Sequence, residues 1–273
     1  MNLLVDQMIG LKLSGLTQLP SALRWIHDEL HCHPRGRIIY VTKGQGRMIV
    51  DGLTVGYGPN NLIYLPPQTL YAMDVGPTVY GYIIDLPSDF SWLEDVLHLR
   101  LLDVAPQKQL LSLVEAIERE ISPSGSKLAA ACHFGLLQVF VERQCAIAKP
   151  TSNDARRQSA SAKLTRRYTR LVARSYASGM LVKDYAAQLG VTPIHLGRAC
   201  YASSERTALT VLSQTLIRAA RYELCYTDTS VKEISKALGF QNPPYFTRRF
   251  QQMTGLTPTA FREKVAPHAA RES

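Results

Sequence analysis

The feature that most constrains this chain is an imperfect internal repeat in its C-terminal half. LVKDYAAQLGVTPIHLGRACY begins at Leu181, and VKEISKALGFQNPPYFTRRFQ begins at Val231. Ala186, Leu189, Gly190 and Val191 match Ser235, Leu238, Gly239 and Phe240 at an offset of 49. Leu196, Arg198 and Cys200 match Phe246, Arg248 and Phe250 at an offset of 50, so the second copy gains one residue in its turn. Each copy predicts a short helix, a tight turn and a second helix. The first helix ends at a glycine, Gly190 or Gly239, which tolerates the positive φ that such a turn needs. The second helix opens on Thr192-Pro193 or Asn242-Pro243, a capping oxygen followed by proline at the first helical position. Leu196 and Cys200, or Phe246 and Phe250, then seat that helix by one face. The remaining positions present Ile194, His195 and Arg198 in the first copy. In the second they present Asn242, Tyr245, Thr247, Arg248 and Arg249. A helix held rigidly by one face can offer the other to a major groove, where arginine bonds a guanine edge or neutralises a phosphate.

Charge divides along the chain in the same sense. Residues 1–150 carry 12 basic and 14 acidic side chains, a net of −2, whereas residues 151–273 carry 19 and 8, a net of +11. A near-neutral half joined to a strongly basic half points to a polyanion as the partner of the second. A solvated basic surface is the bland alternative. The five cysteines, Cys32, Cys132, Cys145, Cys200 and Cys225, are odd in number and scattered. They fit neither a disulfide framework nor a zinc spacing, which favours a reducing cytoplasm. No apolar run approaches a membrane span, and the first residues lack the layout of a signal peptide.

The first half reads differently. From Arg37 to about Ile84, short β-rich runs (RIIYV, RMIV, LIYL, VYGYII) alternate with the turn signals KGQG, VDG and YGPNN. Short antiparallel strands at this spacing predict a small barrel or jelly roll. Two helices follow. Leu110, Val114, Ile117 and Ile121 stripe the first; Leu128, Cys132, Leu136 and Phe140 stripe the second, joined by Leu137, Val139 and Val141. The second helix is apolar around much of its circumference, so it must be covered on more than one side, by the barrel or by a second copy of the chain. Residues 149–162, KPTSNDARRQSASA, read as a polar linker. The expected organisation is α+β, with domains at 1–148 and 163–273 and the second of them all helical.

With the repeat and the charge in place, residues 163–265 resemble the DNA-binding region of the AraC/XylS family of bacterial transcription regulators. The second copy carries the signature as Leu238-Gly239-Phe240, Tyr245-Phe246, Arg248, Phe250, Thr254-Gly255, Thr257-Pro258 and Phe261-Arg262. The resemblance implies a double helix-turn-helix that binds double-stranded DNA at promoters, with RNA polymerase as a further partner. It also implies a long helix joining the modules. Thr207–Tyr226 would serve, with Leu209, Leu212, Leu216, Ala220 and Leu224 as its apolar face. The first copy departs from the pattern. It lacks the bulky aromatic at Cys200 and the glycine near Glu205, and it places Gly197 inside the recognition helix at a cost of roughly 1 kcal/mol relative to alanine.

The strand-rich half resembles a cupin, whose HxH pair works with a downstream Glu and a later His. His31-Cys32-His33 supplies the pair, but Arg37 stands at the Glu position and Tyr71 at the later His position. A metal site needs three or four donors, so no metal and no cofactor is expected. By analogy His31, His33, Arg37 and Tyr71 instead line a pocket for a small-molecule effector. An interior arginine needs a counter-charge, either a carboxylate of its own protein or an anionic effector. Members of the family commonly carry such an N-terminal domain for effector binding and dimerisation, so a homodimer is expected too. Two alternatives stay open: a cupin-type metal enzyme with a basic tail, and an architectural protein that binds nucleic acid without sequence preference.

Overall fold

The computed structural model describes residues 10–87, 90, 92–148 and 159–269. Most of the expected linker, 149–158, lies outside the described residues. The helix that follows begins at Ala160, inside the span expected as linker.

The N-terminal half folds into two antiparallel sheets. The strands are β1 (Lys12–Leu16), β2 (His31–Cys32), β3 (Arg37–Lys43), β4 (Gly46–Val50), β5 (Leu53–Tyr57), β6 (Asn61–Leu65), β7 (Leu70–Met73), β8 (Tyr80–Asp85) and β9 (Leu97–Arg100). One sheet runs β1-β8-β3-β6-β9 and the other β2-β7-β4-β5. The expected barrel or jelly roll thus takes the form of two facing sheets. Ile39, Val41, Met48, Val50, Ile63 and Met73 fill the space between them. Along β3 the alternate residues Ile38 and Tyr40 point the other way, into a second core. Both faces of that sheet are covered, which is why RIIYV shows no polar alternation. The VDG signal is the β4–β5 hairpin. Asp51 and Gly52 have φ of 51° and 77°, the positive pair that suits a two-residue turn between twisted strands.

A short α1 (Trp25–Asp28) precedes β2, and α2 (Val104–Ile121) and α3 (Lys127–Ile147) cover the outer face of the five-stranded sheet. On α2 the expected stripe holds: Leu110, Val114 and Ile117 are buried and Ile121 packs at the edge. On α3 it does not. Ala130, Ala131, Phe134, Leu137, Phe140 and Val141 are buried, while Leu128, Cys132, Leu136 and Val139 are exposed. Apolar residues occupy both sides of α3: Leu128, Cys132 and Leu136 of the expected stripe face outward, while its last member, Phe140, joins the core.

The C-terminal half comprises α4 (Ala160–Ser175), α5 (Val182–Gln188), α6 (Pro193–Ser204), α7 (Ala208–Tyr226), α8 (Val231–Ala237), α9 (Pro243–Thr254) and α10 (Pro258–Ala269). Thr207 caps α7, as its sequence suggests, but Leu209 points outward. The buried face of α7 is instead Ala208, Val211, Leu212, Thr215, Ile217, Ala220 and Leu224, which serves two cores in succession. The outer face of the four-stranded sheet packs directly on the first of these. Ile49, Leu70 and Ala72 meet Tyr168 and Val172 of α4 there. The β4–β5 tip adds an ion pair, Asp51 to Arg166 at 2.9 Å. Leu23 and Trp25 join the second core, where the Trp25 ring lies 6.1 Å from that of Phe261, edge to face.

Candidate nucleic-acid interface

The internal repeat is a structural repeat. Helices α5 and α8 have 7 residues each, and α6 and α9 have 12 each. Thr192 caps α6 by accepting from the His195 N–H at 3.2 Å. Asn242 caps α9 by accepting from the Tyr245 N–H at 3.3 Å. Leu196 and Cys200 seat α6, and Phe246 and Phe250 seat α9; all four are fully buried. The Phe246 ring lies 5.9 Å from Phe250, which lies 5.4 Å from Phe261, so α9 is gripped by an aromatic row.

The outward faces carry the expected side chains. Ile194, His195, Arg198, Asn242, Tyr245 and Arg248 are exposed, and Thr247 is half-buried. Arg198 and Arg248 make no hydrogen bond or ion pair among the described residues. Arg249 stands apart from them. It is half-buried and donates to Ser213 Oγ on α7 and to Gln252 Oε1, each at 2.9 Å. Its guanidinium ties α9 to α7, which leaves Arg248 as the freer reader. Arg262 serves the fold itself. It donates to the carbonyls of Leu224, Thr227 and Thr229, closing the C-terminal end of α7.

The departures of the first module are visible. Gly255 ends α9 with φ of 77°, and Glu205 ends α6 at the equivalent place with φ of 57°. A side chain in that left-handed conformation costs about 1–2 kcal/mol. Cys200 offers no ring to the core, and no side chain from position 197 contributes to it. The first module is therefore the less firmly built of the two.

The effector residues come together only in part. His31, His33 and Arg37 line a cavity of ≈ 440 Å³ between the sensor sheets and α7. Tyr71 sits behind it rather than in its wall. The Tyr71 ring packs 4.3 Å from that of His31, and its hydroxyl accepts from Arg37. Arg37 also donates to Asp85 at 2.6 Å. The counter-charge of this interior arginine is thus a carboxylate of the protein itself. Burial alone would lower the Arg37 pKa, but Tyr71 and Asp85 outweigh it and hold the group above its ordinary value. Burial, then Arg218, then Arg37 hold His31 far below its ordinary pKa, despite its 2.8 Å contact with the Glu29 carbonyl. His31 is therefore neutral at neutral pH. The far wall comes from the other half of the chain: Tyr176, Thr215, Arg218, Ala219, Tyr222 and Glu223. Sequence reading misses these because only the docking of the two halves brings them to the histidines.

Two family descriptions fit the two halves. Residues 21–136 match the AraC-like ligand binding domain, and residues 185–264 match a helix-turn-helix domain. This chain belongs to the AraC family. Like the family, it is a DNA-binding transcription regulator with a ligand-binding domain ahead of its reader. The Msm operon regulatory protein of Streptococcus mutans is 18% identical over 84% of this chain and 84% of its own length. AdaA of Bacillus subtilis, a bifunctional transcriptional activator and DNA repair enzyme, is 26% identical over 44% of this chain and 56% of its own. Among solved structures, fatty-acid-bound ToxT from Vibrio cholerae aligns over 94% of this chain and 95% of its own, with 11% identity and a TM-score of 0.39. The C-terminal domain of the response regulator yesN from Fusobacterium nucleatum covers 38% of this chain, with 21% identity and a TM-score of 0.35. Within the AraC frame, the signature residues divide into two jobs. Phe246, Phe250, Phe261 and Arg262 hold the module together, and Arg248 faces out.

Proposed function

We propose that α6 and α9 enter successive major grooves on one face of a promoter, with Arg198 and Arg248 reading base edges and the neighbouring exposed residues fixing register. The observation that carries this reading is the pairing of sealed apolar faces with outward arginines at equivalent repeat positions, neither hydrogen-bonded nor ion-paired among the described residues. Grooves on one face lie about 34 Å apart, on the order of 10 bp. Footprinting on a bound promoter should therefore show two protected blocks per protomer at that spacing. One short block of a few base pairs would contradict two engaged modules.

The chain acts in this reading as a regulator in the cytoplasm and not as an enzyme. RNA polymerase is the partner to which promoter occupancy is relayed, and a small-molecule effector sets that occupancy through the His31, His33 and Arg37 pocket. The enzyme alternative draws little support from that pocket: the carboxylate near His33, Asp85 at 3.9 Å, is held by Arg37 at 2.6 Å, and Tyr71 packs on His31 where a further metal donor would have to stand. Pairing of two copies is supported by the outward apolar row Leu128, Leu136 and Val139 on α3. Sedimentation should show a dimer that Leu136→Glu dissociates; an unchanged dimer in that variant would move the interface elsewhere.

A further inference from the structure

The cavity between the sensor and α7 holds a cation with no direct ion-pair partner among the described residues; the carboxylate whose field reaches it, Glu29, is paired with Arg221. Other arginines buried near it are paired: Arg37 with Asp85 at 2.6 Å and Arg221 with Glu29 at 3.0 Å. Arg218 has no carboxylate within ion-pair distance among the described residues, and its buried Nε has no hydrogen-bond partner. Its neighbours are ring faces, Trp25 at 4.7 Å and Tyr222 at 5.7 Å. Burial pulls its pKa below the ordinary value, the direction expected where a counter-anion is missing. Glu223 is the carboxylate in the cavity wall, but it sits more than one turn further along α7. Its Oε2 lies 3.4 Å from the Thr227 hydroxyl, toward the far end of the helix.

We propose that Arg218 receives the carboxylate of a small organic monoanion bound in this cavity. The proposal rests on the reading that the N-terminal domain senses a small molecule, and it names the chemistry of that ligand. One charge is the right number. Asp85 already neutralises Arg37, His31 stays neutral, and Glu223 would repel a second negative charge. The walls suit a flat or apolar body behind the carboxylate, since Ile26, Tyr176, Ala219 and Tyr222 line it. The volume of ≈ 440 Å³ lies in the range of small-ligand sites. A guanidinium binds a carboxylate in bidentate fashion, and a desolvated site strengthens that bond. Arg218 belongs to α7, which serves the cores of both helix-turn-helix modules, whereas His31 and Arg37 belong to the sensor. A ligand here would touch both halves at once.

The test uses the full chain, with benzoate as the monocarboxylate probe and benzamide as its neutral counterpart. Malonate and inorganic phosphate supply higher charge. Calorimetry at millimolar probe should show benzoate binding, benzamide not binding, and the more highly charged probes weaker than benzoate. Arg218→Gln should weaken benzoate by roughly tenfold or more, because a charge-assisted contact is lost. Arg218→Lys should recover part of the loss. Without any probe, Arg218→Gln should melt at or above the wild-type temperature, since it removes a charge that has no direct ion-pair partner. No benzoate binding, equal binding of benzamide, or undiminished binding by Arg218→Gln would each overturn the proposal. A lowered melting temperature without probe would do so too, by making Arg218 a structural support for Trp25 and Tyr222. A footprint of the same variant in the absence of probe separates the two readings. Two protected blocks with no benzoate response would sink the ligand and leave the DNA reading standing.

Discussion

Arg198 and Arg248 hold the same place in the two copies, but their supports differ, and the difference sets what each substitution should do. Arg248 rides on a helix fixed by two buried phenylalanines and by the Arg249–Ser213 tie. Its guanidinium is therefore aimed. Arg248→Ala should cost roughly 1–3 kcal/mol in binding and relax preference at one position of the site, as loss of a bidentate base contact does. Arg198 follows Gly197 on a helix seated by Leu196 and Cys200, so its contact is the looser, and Arg198→Ala should act more evenly across sequences. Selection from a randomised site library at fixed salt, with folding checked by circular dichroism, separates the two. An unaltered preference profile for folded Arg248→Ala removes it from base reading. These residues were legible because the repeat compares two helices position by position. The role of Arg249 was less so, since its partner Ser213 lies on another helix. Asp85 as the partner of Arg37 was legible only as a class of answer, because nothing in the spacing of 48 residues marks it.

At the scale of elements, the two turn glycines look alike in sequence and stand in different surroundings. Gly190 has φ of 70° and Gly239 has φ of 79°, so alanine is strained at either. Beyond that strain, a Cβ at Gly190 meets nothing within 4 Å, whereas at Gly239 it would run into the backbone of Gly179 and Ala177. The turn of the second module and the end of the segment before α5 approach each other backbone to backbone. Gly190→Ala should cost about 1–2 kcal/mol, the strain alone. Gly239→Ala must also displace main chain, so it should exceed roughly 3 kcal/mol, among the large effects of single substitutions. Urea unfolding of the full chain measures both, and equal losses would show that the contact between modules carries no weight. Elements such as α5, α6, α8 and α9 could be read because caps and glycines bracket them. Strands β2 and β7 could not, being short and lacking alternation. The outward side of α3 was legible only as a face in need of cover, since an apolar row does not say whether the sheet or a second copy supplies it.

The whole molecule is a sensor braced behind two readers. The four-stranded sheet packs on the first module through Ile49, Leu70 and Ala72, and Trp25 packs on the second, while the outward faces of α6 and α9 stay uncovered. The sensor can therefore alter how the modules sit without blocking what they read. A fragment beginning at Ser159 removes this brace. It keeps both modules, α7 between them and the basic charge that neutralises phosphate. It also uncovers Tyr168 and Val172 and strips Arg221 of its Glu29 partner. The fragment should be less stable than the full chain and still bind duplex DNA, with affinity that falls steeply as salt rises because bound phosphates release counterions. Titration of labelled promoter duplex at several salt concentrations reads both the affinity and its slope. Circular dichroism establishes beforehand that the fragment is folded. Stability and binding are expected to part company here, because Arg198 and Arg248 are exposed in the full chain, while the residues uncovered by truncation are others, Tyr168 and Val172 on α4 and Arg221 on α7. A folded fragment that binds no duplex at low salt would show that the reader helices depend on the sensor for their DNA-binding geometry, and the assignment of α6 and α9 as self-sufficient readers would fall with it.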